Sequence, residues 1–276
     1  MTIYQMLVYF YIYGFLGWCV EVAYAAIKER KFVNRGFLSG PICPIYGVGV
    51  TLVILFLEPF RGRLILLYFA SVVLVSVLEG ITGFVLDKLF HHKWWDYSRL
   101  PLNIGGYVCL LFSLIWGVAC VLIVKFVHHV IAAEVEHLPR LLGIIVLVIL
   151  NIILLADVYV TTTNVVKMNK YLSYIEDVVS ELHNISNTIG EGIYKGVMEA
   201  IDVGDEAKEK WENVTDEVKA RVLELEQKYK DLAEKQSKAS KRLIKAFPAM
   251  YSRKYKRAFL ATKERIKKAG KKNEKK

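Results

Sequence analysis

The sequence predicts an all-α polytopic integral membrane protein. It has about five transmembrane helices with a degenerate parallel two-fold repeat, and a long cytosolic helical, coiled-coil-like tail. Three observations predict this. Of 276 residues, 54% are hydrophobic and the mean hydropathy is +0.33, which excludes an ordinary soluble domain. Apolar runs recur five times before residue 163, and a helical apolar stripe follows them. The charge is unevenly spread: net +2 over residues 1–163, −2 over 164–252 and +10 over 253–276, so the basic balance belongs to the last two dozen residues.

Taken in order, Ile3 to Ile27 is long enough for one bilayer crossing, at ~20 residues per span. It lacks a basic leader and is too long for a signal-peptide core, and Tyr4, Tyr9, Tyr11 and Tyr13 suit an interfacial belt. A basic connector, Lys28 to Arg35, leads to a second apolar segment, Ile42 to Leu57, which is short for a span. After a turn holding Pro59 and Gly62 come Leu64 to Leu86, the polar connector Asp87 to Leu100, then Ile104 to Val127 and Leu141 to Val160. The expected domains are a transmembrane part over 1–163, with repeat halves 3–57 and 64–127 and a fifth helix at 141–160. A helical tail over 164–240 and a basic amphipathic segment over 241–276 complete the chain.

The chain is organised around Asn34 to Gly49, NRGFLSGPICPIYGVG. Pro41 and Pro44 each remove a backbone donor and disfavour helix at the preceding residue, so the second helix starts late. A similar arrangement recurs: Glu21 precedes Pro41 by 20 residues and Glu79 precedes Pro101 by 22, with PICPIYGVG matched by PLNIGGYVC. Connector Lys and Arg counts under five spans put the N-terminus outside and the C-terminus in the cytoplasm, with the tail deciding the margin.

In the tail, Ile175, Val178, Leu182, Ile185 and Ile189 step by three and four, as do Trp211, Val214, Val218, Val222, Leu225, Tyr229 and Leu232. Both are narrow stripes of coiled-coil type, and they allow a homo-oligomer. Gly190, Gly192, Gly196 and Gly204 between them mark a hinge or bend. From Lys241 a basic helix carries Ile244, Phe247, Tyr251, Tyr255, Phe259, Thr262 and Ile266 on one side. Lys254, Arg257, Lys263, Arg265, Lys267 and Lys268 would then face an anionic inner leaflet, or else form a solvated charged tail. No nucleic-acid partner is implied.

Intramembrane acids face a cavity or an interior partner, because an isolated charge at that depth costs a few kcal/mol. Glu21 and Glu79 lie about 10 Å inside the boundary at ~1.5 Å per residue, and Asp157 approaches the same depth. Paired Pro/Gly-interrupted segments are the best sequence pointer to a transport site. The candidate site is therefore a cytosol-facing cavity lined by Glu21, Asn34, Arg35, Pro41, Glu79, Asp96, Pro101 and Asn103. A competing reading makes each acid a structural lock that accepts hydrogen bonds from the loop of its own half. Trp18, Trp94, Trp95 and Tyr97 read as interfacial anchors.

Cys19, Cys43, Cys109 and Cys120 show no metal or disulfide spacing and read as buried small hydrophobes. The pairs His91-His92 and His128-His129 fall on opposite membrane faces and make no metal site. No cofactor is implied. There is no G-x-x-x-x-G-K-[ST], H-E-x-x-H or G-x-S-x-G, so ATP hydrolysis through a P-loop and the familiar membrane hydrolase chemistries are not expected of this chain.

Three stretches, GFLGWCVEVAY (Gly14 to Tyr24), FVNRGFLSGPICPIYGVG (Phe32 to Gly49) and WWDYSRLPLNIGGYVCLLFSLIWG (Trp94 to Gly117), carry a family resemblance. Over roughly residues 4–165 the chain resembles bacterial membrane proteins described as ABC-transporter permeases, the CmpB-like or type IV family. The resemblance implies a plasma-membrane multi-span permease working with a separate ATPase chain. The chain departs from the usual permease pattern in having five expected spans and no cytosolic coupling helix. Two other function classes stand beside transport: a scaffold that anchors the tail, and a membrane enzyme using Glu21 or Glu79.

Overall fold

The computed structural model describes residues 1–202, 218, 220–225, 227–232 and 236–273; among these, the side chains of 186, 188–202 and 268–273 are not described. The chain divides into two compact units, one of Met1–Val165 with Arg242–Met250, the other of Val166–Lys241 with Tyr251–Lys276.

The first unit is built from α1 (Ile3–Glu29), α2 (Pro44–Leu57), α3 (Leu64–Phe90), α4 (Leu110–Leu122), α5 (His128–His137) and the N-terminal part of α6 (Arg140–Asp202). Among the described residues, four helices are long and apolar enough to cross a membrane: Ile3–Glu29, Leu64–Phe90, Leu110–His137 and Arg140–Ile185. The fifth apolar helix, Pro44–Phe60, is shorter, as the late start at Pro44 requires. Large apolar side chains cover the outside, with Ile3, Phe69, Ile81, Leu141 and Leu155 all exposed. In a bilayer that surface meets hydrocarbon.

Local chemistry sets the helix ends. Thr2 and Gln5 form a reciprocal capping box at the start of α1, and α1 and α3 each end on a left-handed residue, Arg30 and His91. The fourth span begins at Leu110 rather than at Ile104. Asn103 and Ile104 instead pair antiparallel with Cys109 and Val108 around Gly105 and Gly106, both of positive φ. The same span continues to His137, through residues expected to be a connector. It passes over a π-helical turn at Ile123–Val127, where Arg61 Nη2 donates to the Lys125 carbonyl at 3.0 Å.

Two-fold repetition is visible in how the helices touch, and its register is not the one the prolines suggested. A Cβ on Gly14 would meet the Ile42 side chain, and one on Gly17 the root of the Tyr46 ring. In the second half a Cβ on Gly80 would meet Val108, and one on Gly83 Tyr107. Cys43 caps α2 and Cys109 caps α4, and both are buried. Each pair, 14/80, 17/83 and 43/109, is separated by 66 residues, and GFLGWCVE aligns with GITGFVLD. In this register the counterpart of Glu21 is Asp87, and Glu79 falls opposite Tyr13. Glycine at these points lets the paired helices approach closely, which is how membrane helices gain packing energy without a hydrophobic drive.

In the second unit, Met168, Leu172, Ile175, Val178, Leu225, Ala258, Phe259 and Thr262 are buried. Glu176 accepts from the Ala258 amide at 2.7 Å, and Arg221 pairs with Glu181. Of the stripe starting at Ile175, Ile175 and Val178 are buried and Leu182 and Ile185 half-buried, while the side chain of Ile189 lies outside those described. The helix expected from Lys241 is instead two, α7 (Lys238–Ala246) and α8 (Lys256–Asn273). The break sits at Pro248, which cannot donate to a helix and disfavours helical Phe247. Phe259 and Thr262 therefore face protein rather than lipid. Gly190, Gly192 and Gly196 remain helical within α6; Gly204, Trp211 and Val214 lie outside the described residues.

Candidate functional site

The first loop, residues 30–43, is held from every side. Asn34 uses its whole amide: Oδ1 accepts from Trp18 Nε1 at 2.8 Å and from the Gly36 amide at 3.0 Å, while Nδ2 donates to the Ser39 carbonyl at 2.9 Å. Asp157 of α6 accepts from the amides of Ser39 at 3.0 Å and Gly40 at 2.7 Å. Arg242 donates to three successive carbonyls, Gly36, Phe37 and Leu38, at 3.0 to 3.1 Å. One carboxylate and one guanidinium thus satisfy five consecutive residues that no helix or sheet could serve. Burial draws the Arg242 guanidinium below its ordinary pKa, and Asp157 opposes that shift.

Glu21 has both oxygens committed. Arg35 Nε donates to Oε2 at 2.8 Å and the Tyr46 hydroxyl to Oε1 at 2.7 Å. The counterpart Asp87 accepts from the Tyr107 hydroxyl at 2.5 Å. In the second loop Asn103 donates to the Leu100 carbonyl at 2.8 Å and accepts from the Gly106 amide, and Asp96 accepts from Ser98. Lys93 is buried, donates to the Gly105 carbonyl and lies 3.8 Å from Asp96. Pro41 and Pro101 are exposed. Seven of the eight predicted site residues, Glu21, Asn34, Arg35, Pro41, Asp96, Pro101 and Asn103, thus sit in their loops or hold them, and Pro41 also shapes the entry to α2.

Glu79 stands apart. It is 9% exposed, and Oε1 accepts from the Tyr97 hydroxyl at 3.1 Å, while Oε2 is buried with no hydrogen-bond partner among the described residues. Tyr97 stacks on Phe112 at 4.9 Å, and Tyr46 meets Trp116 edge-on at 5.8 Å. Burial first, then Glu79, holds the Tyr97 hydroxyl well above the ordinary phenol range, and it feels Cys109 and Glu21 as well. Tyr46 lies within electrostatic range of Tyr97. Each tyrosine holds one acid, Tyr46 binding Glu21 of the first half and Tyr97 binding Glu79 of the second. Cys43, the N-cap of α2, is buried, and its amide donates to the Gly14 carbonyl at 2.9 Å.

Sequence reasoning missed Tyr46, Asp87, Tyr107 and Arg242. Asp87 was readable as the counterpart of Glu21 at the 66-residue spacing, whereas Tyr46 and Tyr107 align with Phe112 and Pro41 and carry no such signal. Arg242 carries no local signal.

A bundle of long apolar helices whose interhelical loops are stapled inward by buried polar side chains defines a polytopic α-helical membrane protein. Within that class the chain belongs to the family described as "Putative ABC-transporter type IV", whose model matches residues 8–162. No curated protein and no solved structure matches the chain.

Proposed function

We propose that the chain is the permease-like membrane subunit of a transporter in the plasma membrane, with its N-terminus outside and its tail in the cytoplasm. Its polar site lies between the two interrupted segments, open toward the cytosolic side. The observation that carries this reading is Glu79, an acid nine-tenths buried in α3 whose Oε2 has no hydrogen-bond partner among the described residues. Acids at membrane depth face an interior partner or a cavity and mark functional sites by default. Glu21, Asn34, Arg35, Asp96 and Asn103 shape the site, and Glu79 is the group within it that has capacity left to bind. Family membership supports a separate ATPase chain as partner. Lys254, Arg257 and Lys267, all exposed, supply charge toward an anionic leaflet.

The test is recovery of the intact protein from its native membrane in mild detergent, with bound proteins identified by mass spectrometry. A stoichiometric ATPase chain is the expected result. Recovery of the chain by itself removes the ATPase from the proposal.

A second reading, a membrane-anchored scaffold, is favoured by one observation: the tail forms a compact unit with its own buried side chains. Function retained by the tail on an unrelated membrane anchor would establish it in place of transport.

A further inference from the structure

Glu79 is the acid that the repeat does not explain. Glu21 and Asp87 occupy equivalent positions, each takes a hydroxyl hydrogen bond from a tyrosine of its own half, and they account for the locking role. At the position of Glu79 the first half carries Tyr13, bonded to His128 Nδ1 at 3.1 Å. This acid breaks the repeat and sits eleven residues inside the end of α3; it meets Tyr97 of the second loop through Oε1 alone, leaving Oε2 without a partner among the described residues.

Among the described residues, none is seen to offer it a counter-charge. α2 and α4, which pack on α3, contain no charged residue, and within α3 the charged residues besides Glu79 are Asp87 and Lys88, near its end. From α1 the nearby acid is Glu21, itself neutralised by Arg35. From α2 the titratable group is Tyr46, and from the second loop Tyr97 and Cys109. Lys93 of that loop is committed to the Gly105 carbonyl and Asp96. A carboxylate with one neutral hydrogen bond, nine-tenths buried and facing no cation among the described residues, carries a desolvation cost that a proton on the free oxygen removes.

We propose that Glu79 is a proton-carrying site: at rest Oε2 bears the proton while Oε1 accepts from Tyr97, and the protein works by exchanging that proton. Binding a proton needs no cavity, and Oε2 is the atom with a lone pair to take it. The Tyr97 hydroxyl keeps the carboxyl oriented in both protonation states. The proposal goes beyond the permease reading and holds whether or not an ATPase accompanies the chain.

The test is infrared difference spectroscopy of the full chain in lipid vesicles as the pH is stepped from acid to alkaline. The expected result is a carboxylic-acid C=O band that disappears reversibly on raising the pH. It should be absent from Glu79→Gln and present in Glu21→Gln. Gln mimics the protonated acid in size and charge, so Glu79→Gln should fold; if it does not, Glu79→Asp must shift the band in frequency. A band unchanged in the Glu79 variants, or no such band at any pH, overturns the proposal. A carbodiimide that modifies protonated carboxyls provides the second reading. Modification should map to Glu79, fall at least tenfold between pH 6 and pH 9, and vanish in Glu79→Gln. Modification of Glu79 that is the same at both pH values also overturns it.

Discussion

The α1–loop–α2 half and the α3–loop–α4 half use one plan and stabilise it differently. Both bring two glycines of the first helix against the segment entering the second. Both place an acid four residues after the second glycine and a buried cysteine at the next N-cap. In the first half the acid holds an arginine and a tyrosine, and the loop is gripped from outside by Asp157 and Arg242. In the second, the acid holds Tyr107 and the loop ties itself together through its short ladder, Asn103 and Lys93. The packing is common to both halves, whereas Glu79 has no acidic counterpart in the first. That difference separates two kinds of acid: the repeated ones hold their halves with every observed bond, and the unrepeated one keeps an oxygen without a partner among the described residues.

The largest test of the shared plan is at the glycines. A Cβ on Gly17 would overlap the rigid root of the Tyr46 side chain, whereas one on Gly83 would sit 3.0 Å from the Tyr107 ring. Gly17→Ala should therefore cost about 3 kcal/mol, and Gly83→Ala about 1 kcal/mol. Thermal unfolding in detergent should show the larger drop for Gly17→Ala. Equal drops would mean that the helix pairs are not packed unequally as described.

Next comes the external grip. Arg242→Ala leaves three loop carbonyls without their donor, at about 1 kcal/mol each. Limited proteolysis should then open the 30–43 loop while leaving 91–109 as resistant as before. Cleavage of both loops to the same extent would show that Arg242 does not act on the first half alone.

Much of this architecture was legible beforehand. Ile3 to Ile27 and Leu64 to Leu86 lie within α1 and α3, because long uninterrupted apolar runs have only one way to satisfy their backbone in lipid. The register of the repeat was harder. α1 runs eight residues past Glu21 to Glu29 while α3 runs three past Asp87 to Phe90, and the second loop is longer by the same five. Two prolines in that uneven stretch line up well enough to pair Glu21 with Glu79. The glycines, upstream of the length difference, mark the true offset. At Pro248 a helical stripe continued in the sequence where the backbone could not. Arg242 lies 204 to 206 residues from the carbonyls it binds, and no local pattern announces such a contact.

The acids themselves come next in size. Glu21→Gln leaves Arg35 without its carboxylate in a site where both side chains are about three-quarters buried, and should cost about 2 kcal/mol. Asp87→Asn keeps an acceptor for the Tyr107 hydroxyl and should cost about 1 kcal/mol. Adding Arg35→Gln to Glu21→Gln should recover part of the loss, since the uncompensated charge goes with it. Denaturation midpoints of the two single variants and the double variant measure this. No recovery in the double variant would mean that the ion pair is not what Glu21 contributes.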